Sequence, residues 1–340
     1  MQTKFFGSLL AVLLSACISK SGAATPSNLN STEAAAAPAT EATPAPAPTQ
    51  AAAPAPPPAL EKKAAPETSS KPTQVKADLL QMPEVCEKSL SRFTGKFDSK
   101  VLKAACEKVE ILQGCQSVQG TPIFHFNKTG EFKKPSRILV FSLIHGDEFP
   151  AGSVGRFWME RLETIVPRNT WRVVPVLNPD GVIKKTRTNA NKVDINRNFP
   201  TQDWTEKAQA YWQKDSKSNP RRFPGNLAAS EPETQCALKH IEDFKPDFIV
   251  SIHTPLKVLD YDGPKVKPPK FDYLPWKSLG HYPGSLGRYM WFERQIPVLT
   301  MELKEDLPAS NKPWLQLQDI IGVLVGLESM NKKPASNEAP

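Results

Sequence analysis

The stretch Arg137–Glu148, RILVFSLIHGDE, decides the fold. Ile138, Leu139, Val140, Phe141, Leu143 and Ile144 form a nearly continuous apolar run, the composition of a strand buried on both faces. In open α/β sheets the loops after the carboxyl ends of such strands hold the ligand sites. His145 and Glu148 stand just past this strand's end, three residues apart, where an imidazole and a carboxylate can close on one metal ion. Alone the pair is a weak signal, because a histidine beside acidic residues is commonly a surface loop.

A second apolar run, DFIVSIH from Asp247 to His253, ends in the same way, and Thr254-Pro255 takes the chain out of the sheet. His253 supplies a third donor. Two histidines and one glutamate leave the fourth position of a zinc ion open, as in a hydrolytic rather than a structural site. A third run, PVLTMEL from Pro297 to Leu303, brings Glu302 near a strand end as a candidate general base.

Around these runs, strand and helix signals alternate. Ala151–Thr164 carries Val154, Phe157, Trp158 and Leu162 at helical spacing, and Trp171–Leu177 reads as the next strand. Asn178-Pro179-Asp180-Gly181 reads as a tight turn. Glu231–Phe244 reads as a helix with Pro232 in its first turn and Ser230 as its cap, and Trp314–Leu327 as a closing amphipathic helix. The alternation predicts an α/β fold: a mixed, mainly parallel twisted sheet with helices on both faces.

Seven short pieces stand in order: HGDE (His145–Glu148), NPDG (Asn178–Gly181), TRTNANKVDINRNFP (Thr186–Pro200), SEPET (Ser230–Thr234), SIH (Ser251–His253), PGSLG (Pro283–Gly287) and MEL (Met301–Leu303). Together they resemble the zinc carboxypeptidase superfamily, specifically its bacterial murein peptide amidase branch, over roughly residues 109–328. The resemblance implies one zinc ion on His145, Glu148 and His253, with Glu302 as general base and Arg187 stabilising the oxyanion. It further implies that Asn196 and Arg197 hold a substrate carboxylate, which suits the bidentate chemistry of a guanidinium. Tyr282 lies about where the family has a mobile tyrosine covering the substrate, with Tyr261 and Tyr289 as competitors. His125, His240 and His281 have no partner at metal-ligand spacing and read as ordinary surface or boundary histidines.

Residues 1–17 read as an export signal: Lys4 gives the positive start, Phe5–Leu14 the apolar core, and Leu14-Ser15-Ala16-Cys17 resembles a bacterial lipobox, implying lipidation of Cys17. The apolar run falls well short of the ~20 residues that span a bilayer. Residues 18–75 are mostly Ala, Pro, Thr and Ser and read as a disordered tether. At ~3.1 Å per residue in extended form, it reaches on the order of 100 Å. Residues 76–108 read as a short helical segment packed on the catalytic domain, 109–330 as that domain, and 331–340 as a disordered tail. The expected setting is the periplasmic side of the cell envelope, with the lipid in the outer membrane.

Four cysteines follow the signal, Cys86, Cys106, Cys115 and Cys236, and an exported chain meets an oxidising compartment. Three pairings are open. The expectation is that Cys86 or Cys106 ties the segment Met82–Val109 to the body of the domain. Zinc binding by these cysteines is disfavoured, since no pair has CxxC spacing.

The net charge of +8 lies almost wholly in the folded part. A basic surface attracts an acidic polymer such as peptidoglycan, and the export signal disfavours nucleic acid. A monomer is expected. The function that follows is a zinc-dependent peptidase of peptidoglycan stem peptides, cutting between γ-D-glutamate and the diamino acid. The alternatives are a murein carboxypeptidase trimming the terminal stem residue, an inactive tethered cell-wall binding protein, and an aspartoacylase-like deacylase. NRNFP, SEPET and PGSLG weigh against the last.

Overall fold

The computed structural model describes residues 81–265 and 267–331. The expected signal with Cys17, the tether at 18–75, residues 76–80 and residues 332–340 lie outside the described residues. The segment begins with two helices, α1 (Met82–Leu90) and α2 (Ser99–Cys106). There follow β1 (Val109–Gln116), β2 (Pro122–Lys128), β3 (Arg137–Ser142), α3 (Phe149–Thr164), β4 (Thr170–Val174), α4 (Pro179–Lys184) and α5 (Trp204–Lys214). The chain continues through α6 (Pro232–Phe244), β5 (Phe248–His253), β6 (Val258–Asp262), β7 (Val298–Glu302) and α7 (Lys312–Asn331).

The seven strands form one sheet in the order β1-β2-β4-β3-β5-β7-β6. The four central strands β4, β3, β5 and β7 run parallel, and β1, β2 and β6 add antiparallel edges. Successive side chains of a strand point to opposite faces, and β3 shows the consequence. Ile138 and Val140 pack into one apolar cluster with α3 and α7, while Leu139 and Phe141 pack into another with α6. Both faces are covered, which is why the run carries no polar alternation.

Three local expectations change. Asn178-Pro179-Asp180-Gly181 opens α4 rather than making an isolated turn: Asn178 is the N-cap and its Oδ1 accepts from the Gly181 amide at 2.9 Å. Glu231, not Ser230, holds the N-cap position of α6, and the Ser230 hydroxyl donates to the Glu231 carboxylate at 2.7 Å. His125 and His240 are fully buried rather than at the surface.

The disulfide expectation also fails. Cys86 pairs with Cys106 inside the amino-terminal segment, and Cys115 pairs with Cys236 inside the catalytic domain. Cys86 lies on the buried stripe of α1 with Met82 and Leu90, and Cys106 on that of α2 with Leu102, so the two face each other across a shared core. Arg156 of α3 fixes the segment to the domain instead. Its guanidinium is buried and donates to the carbonyls of Leu90 (3.2 Å), Phe93 (2.7 Å), Thr94 (2.9 Å) and Gly95 (3.2 Å). Removing it leaves those carbonyls without their charged donor. Arg156→Leu is expected to lower the unfolding free energy by about 3 kcal/mol in denaturant titrations with both disulfides intact. A loss under about 1 kcal/mol would mean that apolar packing alone holds the segment.

Candidate metal centre and substrate clamp

The strand ends place the three donors. After β3, Leu143 adopts a left-handed conformation (φ 51°) and the chain leaves the sheet toward His145. Asn178 secures this exit: its amide N–H donates to the Leu143 carbonyl at 3.0 Å, and its Nδ2 reaches the carbonyls of Ile144 and Arg187, each at 3.3 Å. Gly146 then passes so close to Gly181 that an added Cβ would lie 2.0 Å from the Gly181 carbonyl carbon. Only glycine fits there, which gives HGDE and NPDG a shared steric reason. His253 ends β5, and the register sets it beside Glu302 at the end of β7.

His145 Nδ1 lies 2.8 Å from Glu148 Oε1, and His253 Nδ1 lies 2.9 Å from Glu148 Oε2. The two Nδ1 atoms are 3.0 Å apart. Each imidazole is held from behind, His145 Nε2 by Asp194 Oδ1 at 3.1 Å and His253 Nε2 by Ser251 Oγ at 2.9 Å. A histidine oriented by a carboxylate or hydroxyl on one nitrogen, with the other aimed at a common point, is the arrangement of a metal ligand. All three donors are buried, and the donor set of two imidazoles and a carboxylate fits zinc with a fourth position open.

The charges reinforce this. Burial and Arg187 press the His145 pKa down, but Glu148 and Asp194 outweigh them and raise it above the ordinary value. Burial opposes ionisation of Glu148, yet His145 and His253 hold its carboxyl far below the usual range. Asp194 behaves likewise: burial pushes its pKa up, and Arg187 with His145 pulls it well down. A proton on His145 Nδ1 therefore competes with a metal for that nitrogen, and acid favours the proton.

Arg187 stands at the same centre. Its Nε donates to Asp194 Oδ2 at 2.9 Å and its Nη1 approaches Glu148 Oε1 at 3.5 Å. The loop carrying Arg187 and Asp194 is fastened by SEPET, where Glu231 accepts from Asn189 (2.7 Å) and Asn191 (2.8 Å) and Glu233 from Asn189 (2.9 Å). Glu302 is buried, and one of its oxygens accepts from the Leu256 amide at 3.2 Å.

Asn196 and Arg197, the residues expected to clamp a carboxylate, lie together beside the loop of Gly284 and Leu286. Asn196 Oδ1 accepts from the Leu286 amide at 2.9 Å, which orients the carboxamide and leaves Nδ2 to donate elsewhere. Arg197 is buried with its guanidinium 4.5 Å from the Tyr282 ring centroid, and its Nη1 donates to the Asn196 carbonyl at 2.7 Å. Its Nε has no hydrogen-bond partner and no carboxylate lies within ion-pair distance of it among the described residues. Burial is the largest influence on it and lowers its pKa. Gly284 (φ 76°) is required beneath this loop, since a Cβ would fall 1.9 Å from the Arg197 carbonyl oxygen.

Of the three tyrosines, Tyr282 lies against the Arg197 guanidinium. Tyr289 stacks on Phe199 and accepts from Arg294, and Tyr261 stacks on Phe248. Asp194, Asn178 and Ser251 were not singled out as functional from the sequence. Asp194 opens DINRNF and Ser251 lies two residues before His253 on the same strand face, so position within a motif was the available signal. Asp194→Asn is expected to weaken divalent-metal affinity 10- to 100-fold in chelator competition. Unchanged affinity would reduce Asp194 to a loop support.

A sequence model of the family described as zinc carboxypeptidase matches residues 101–274. Murein peptide amidase A of Vibrio campbellii is 32% identical over 199 residues, covering 55% of this chain and 77% of that protein. The protein of the same name from Escherichia coli is 32% identical over 147 residues, covering 43% of this chain and 59% of that one. Bovine thrombin-activatable fibrinolysis inhibitor, in complex with tick carboxypeptidase inhibitor, has the same fold, with a TM-score of 0.52 at 16% identity over 75% of this chain and 97% of that one. Strand-end donors suited to one zinc ion and a matching family model lead to the same result, that this chain belongs to the zinc carboxypeptidase family and is a metallopeptidase.

Proposed function

We propose that this chain is a zinc-dependent amidase of peptidoglycan stem peptides that cuts between γ-D-glutamate and the diamino acid. The observation that carries the hydrolytic reading is the convergence of His145, Glu148 and His253 beside the carboxylate of Glu302. Those three residues would hold the zinc. When bound, zinc supplies a Lewis acid for the scissile carbonyl and lowers the pKa of water toward ~7. Glu302 takes the proton of the attacking water, with one carboxylate oxygen steadied by Leu256 N–H, and delivers it to the leaving amine. Arg187, next to Glu148, donates to the developing oxyanion.

Substrate choice is supported by the likeness to two proteins named murein peptide amidase A and by the clamp. A buried arginine without an anionic partner favours a ligand carboxylate, and the diamino acid presents one next to the scissile bond. Asn196 adds its amide donor, and Tyr282 covers the guanidinium. Digestion of purified muropeptides with the zinc-loaded protein is expected to release the free diamino acid from tripeptide stems and leave L-Ala-γ-D-Glu. Conversion of tetrapeptide to tripeptide alone would identify a carboxypeptidase. Glu302→Gln is expected to keep its zinc while losing most turnover, and a variant with undiminished turnover would remove Glu302 from the mechanism.

Export and lipidation at Cys17 belong to the same proposal, with the anchored chain acting at the periplasmic side of the envelope. The sequence of residues 1–17 supports this reading. Cys17→Ser is expected to abolish incorporation of a labelled fatty acid and to release the protein from the membrane fraction. A wild-type chain that takes up no label has an ordinary secretory signal.

A further inference from the structure

Two buried histidines take no part in the centre described above. His125 of β2 and His240 of α6 are each 0% exposed, and none of their four ring nitrogens has a hydrogen-bond partner among the described residues. The nearest carboxylate, of Glu110, lies 3.5 Å from His125 Nε2. The rings meet edge to face with centroids 4.9 Å apart, and Phe141 closes the other side of His240 at 6.4 Å. An unmade hydrogen bond on a buried group costs stability, whereas aliphatic side chains would fill this space without that loss. Packing alone gives no reason for two imidazoles here.

The neighbour that gives a reason is the Cys115–Cys236 disulfide. The two sulfur atoms and one ring nitrogen of His240 all lie within 4.8 Å of one another. Cys236 and His240 stand four residues apart on α6 and so share a face, Cys115 comes from β1, and the His125 ring adjoins that of His240. The two sulfurs and His240 converge, with His125 reached only through its ring contact to His240; two sulfurs and two imidazoles are the donor types of a closed tetrahedral zinc site. While joined to each other the sulfurs carry no thiolate charge and bind no such ion.

We propose that reduction of the Cys115–Cys236 disulfide opens a second metal site, in which both thiolates and His240, with His125 as fourth donor, bind zinc or another cation of that borderline-soft class. A dithiol reductant supplies the two electrons and two protons: the S–S bond breaks, two thiols form, and the dithiol becomes a disulfide. The metal then displaces the two thiol protons to solvent and takes lone pairs from neutral imidazoles. The Cα atoms are 5.0 Å apart, so metal binding would require rotation about the Cα–Cβ bonds to part the sulfurs. The link between β1 and α6 is thereby covalent in an oxidising setting and metal-held in a reducing one. This site is independent of His145, Glu148 and His253, and of the substrate proposed above.

The test loads the full chain with cobalt(II), oxidised and after reduction by a dithiol and desalting without oxygen. The oxidised protein is expected to hold one cobalt without thiolate charge transfer, and the reduced protein two, with intense thiolate-to-cobalt absorption in the near ultraviolet. Reduced His240→Leu should return to one cobalt without that absorption, and reduced His125→Phe should bind the second cobalt at least tenfold more weakly. One cobalt in the reduced wild type, or a second thiolate-bound cobalt persisting in His240→Leu, overturns the proposal. Far-ultraviolet circular dichroism covers loss of fold on reduction. A reduced chain that regains its helical signal on adding cobalt supports the site, and one that stays unfolded with cobalt overturns it.

Discussion

Asp194 is the group on which the centre depends. Its fully buried carboxylate meets His145 Nε2 and accepts from Arg187 Nε and from the Asn196 amide, so a metal ligand, the arginine beside it and the first residue of the clamp hang on one side chain. Removing a carboxylate from water costs several kcal/mol. Two cationic neighbours and a backbone donor offset that cost and keep it ionised. The same contact fixes the tautomer of His145, because a proton on Nε2 leaves the Nδ1 lone pair for a metal.

The sheet sets these groups at usable distances. Ser251, His253 and Glu302 point to one face because residues two apart on a strand share a side and His253 pairs with Glu302 across β5 and β7. The opposite face of the same strands, with Val250, Ile252, Leu299 and Met301, is pure core. The polar groups stand at the carboxyl ends of β5 and β7, backed by the apolar residues of the opposite face.

Backbone proximity does for the clamp what side chains do for the metal donors. Gly146 against Gly181 and Gly284 against the Arg197 carbonyl bring loops into contact that any Cβ would part. The clamp is then closed by Phe199 N–H donating to the Gly284 carbonyl at 3.0 Å and Trp204 Nε1 to the Arg197 carbonyl at 2.8 Å. Arg197 is thus held from its backbone, with its buried Nε unpaired among the described residues.

By itself the sequence determined the α/β class, the parallel core strands and the grouping of His145, Glu148 and His253, and it proposed Glu302 and the pair Asn196 and Arg197. Hydrophobic period and motif spacing are local properties, and His145, His253 and Glu302 each sit at the end of an apolar run that can be read alone. What only the tertiary structure decided depends on pairs distant in the chain. Asp194 is a second support of His145 because a loop held by Glu231 and Glu233 folds back 49 residues to meet it. Cys86 chose Cys106 from a facing helix, and Cys115 of β1 chose Cys236 of α6 at a separation of 121 residues, because packed faces and not spacing bring sulfurs together. His125 and His240 read as surface residues until β2 and α6 closed over them. No local pattern encodes which face of a helix covers which edge of a sheet, and that packing is the physical reason these features had to wait for the fold.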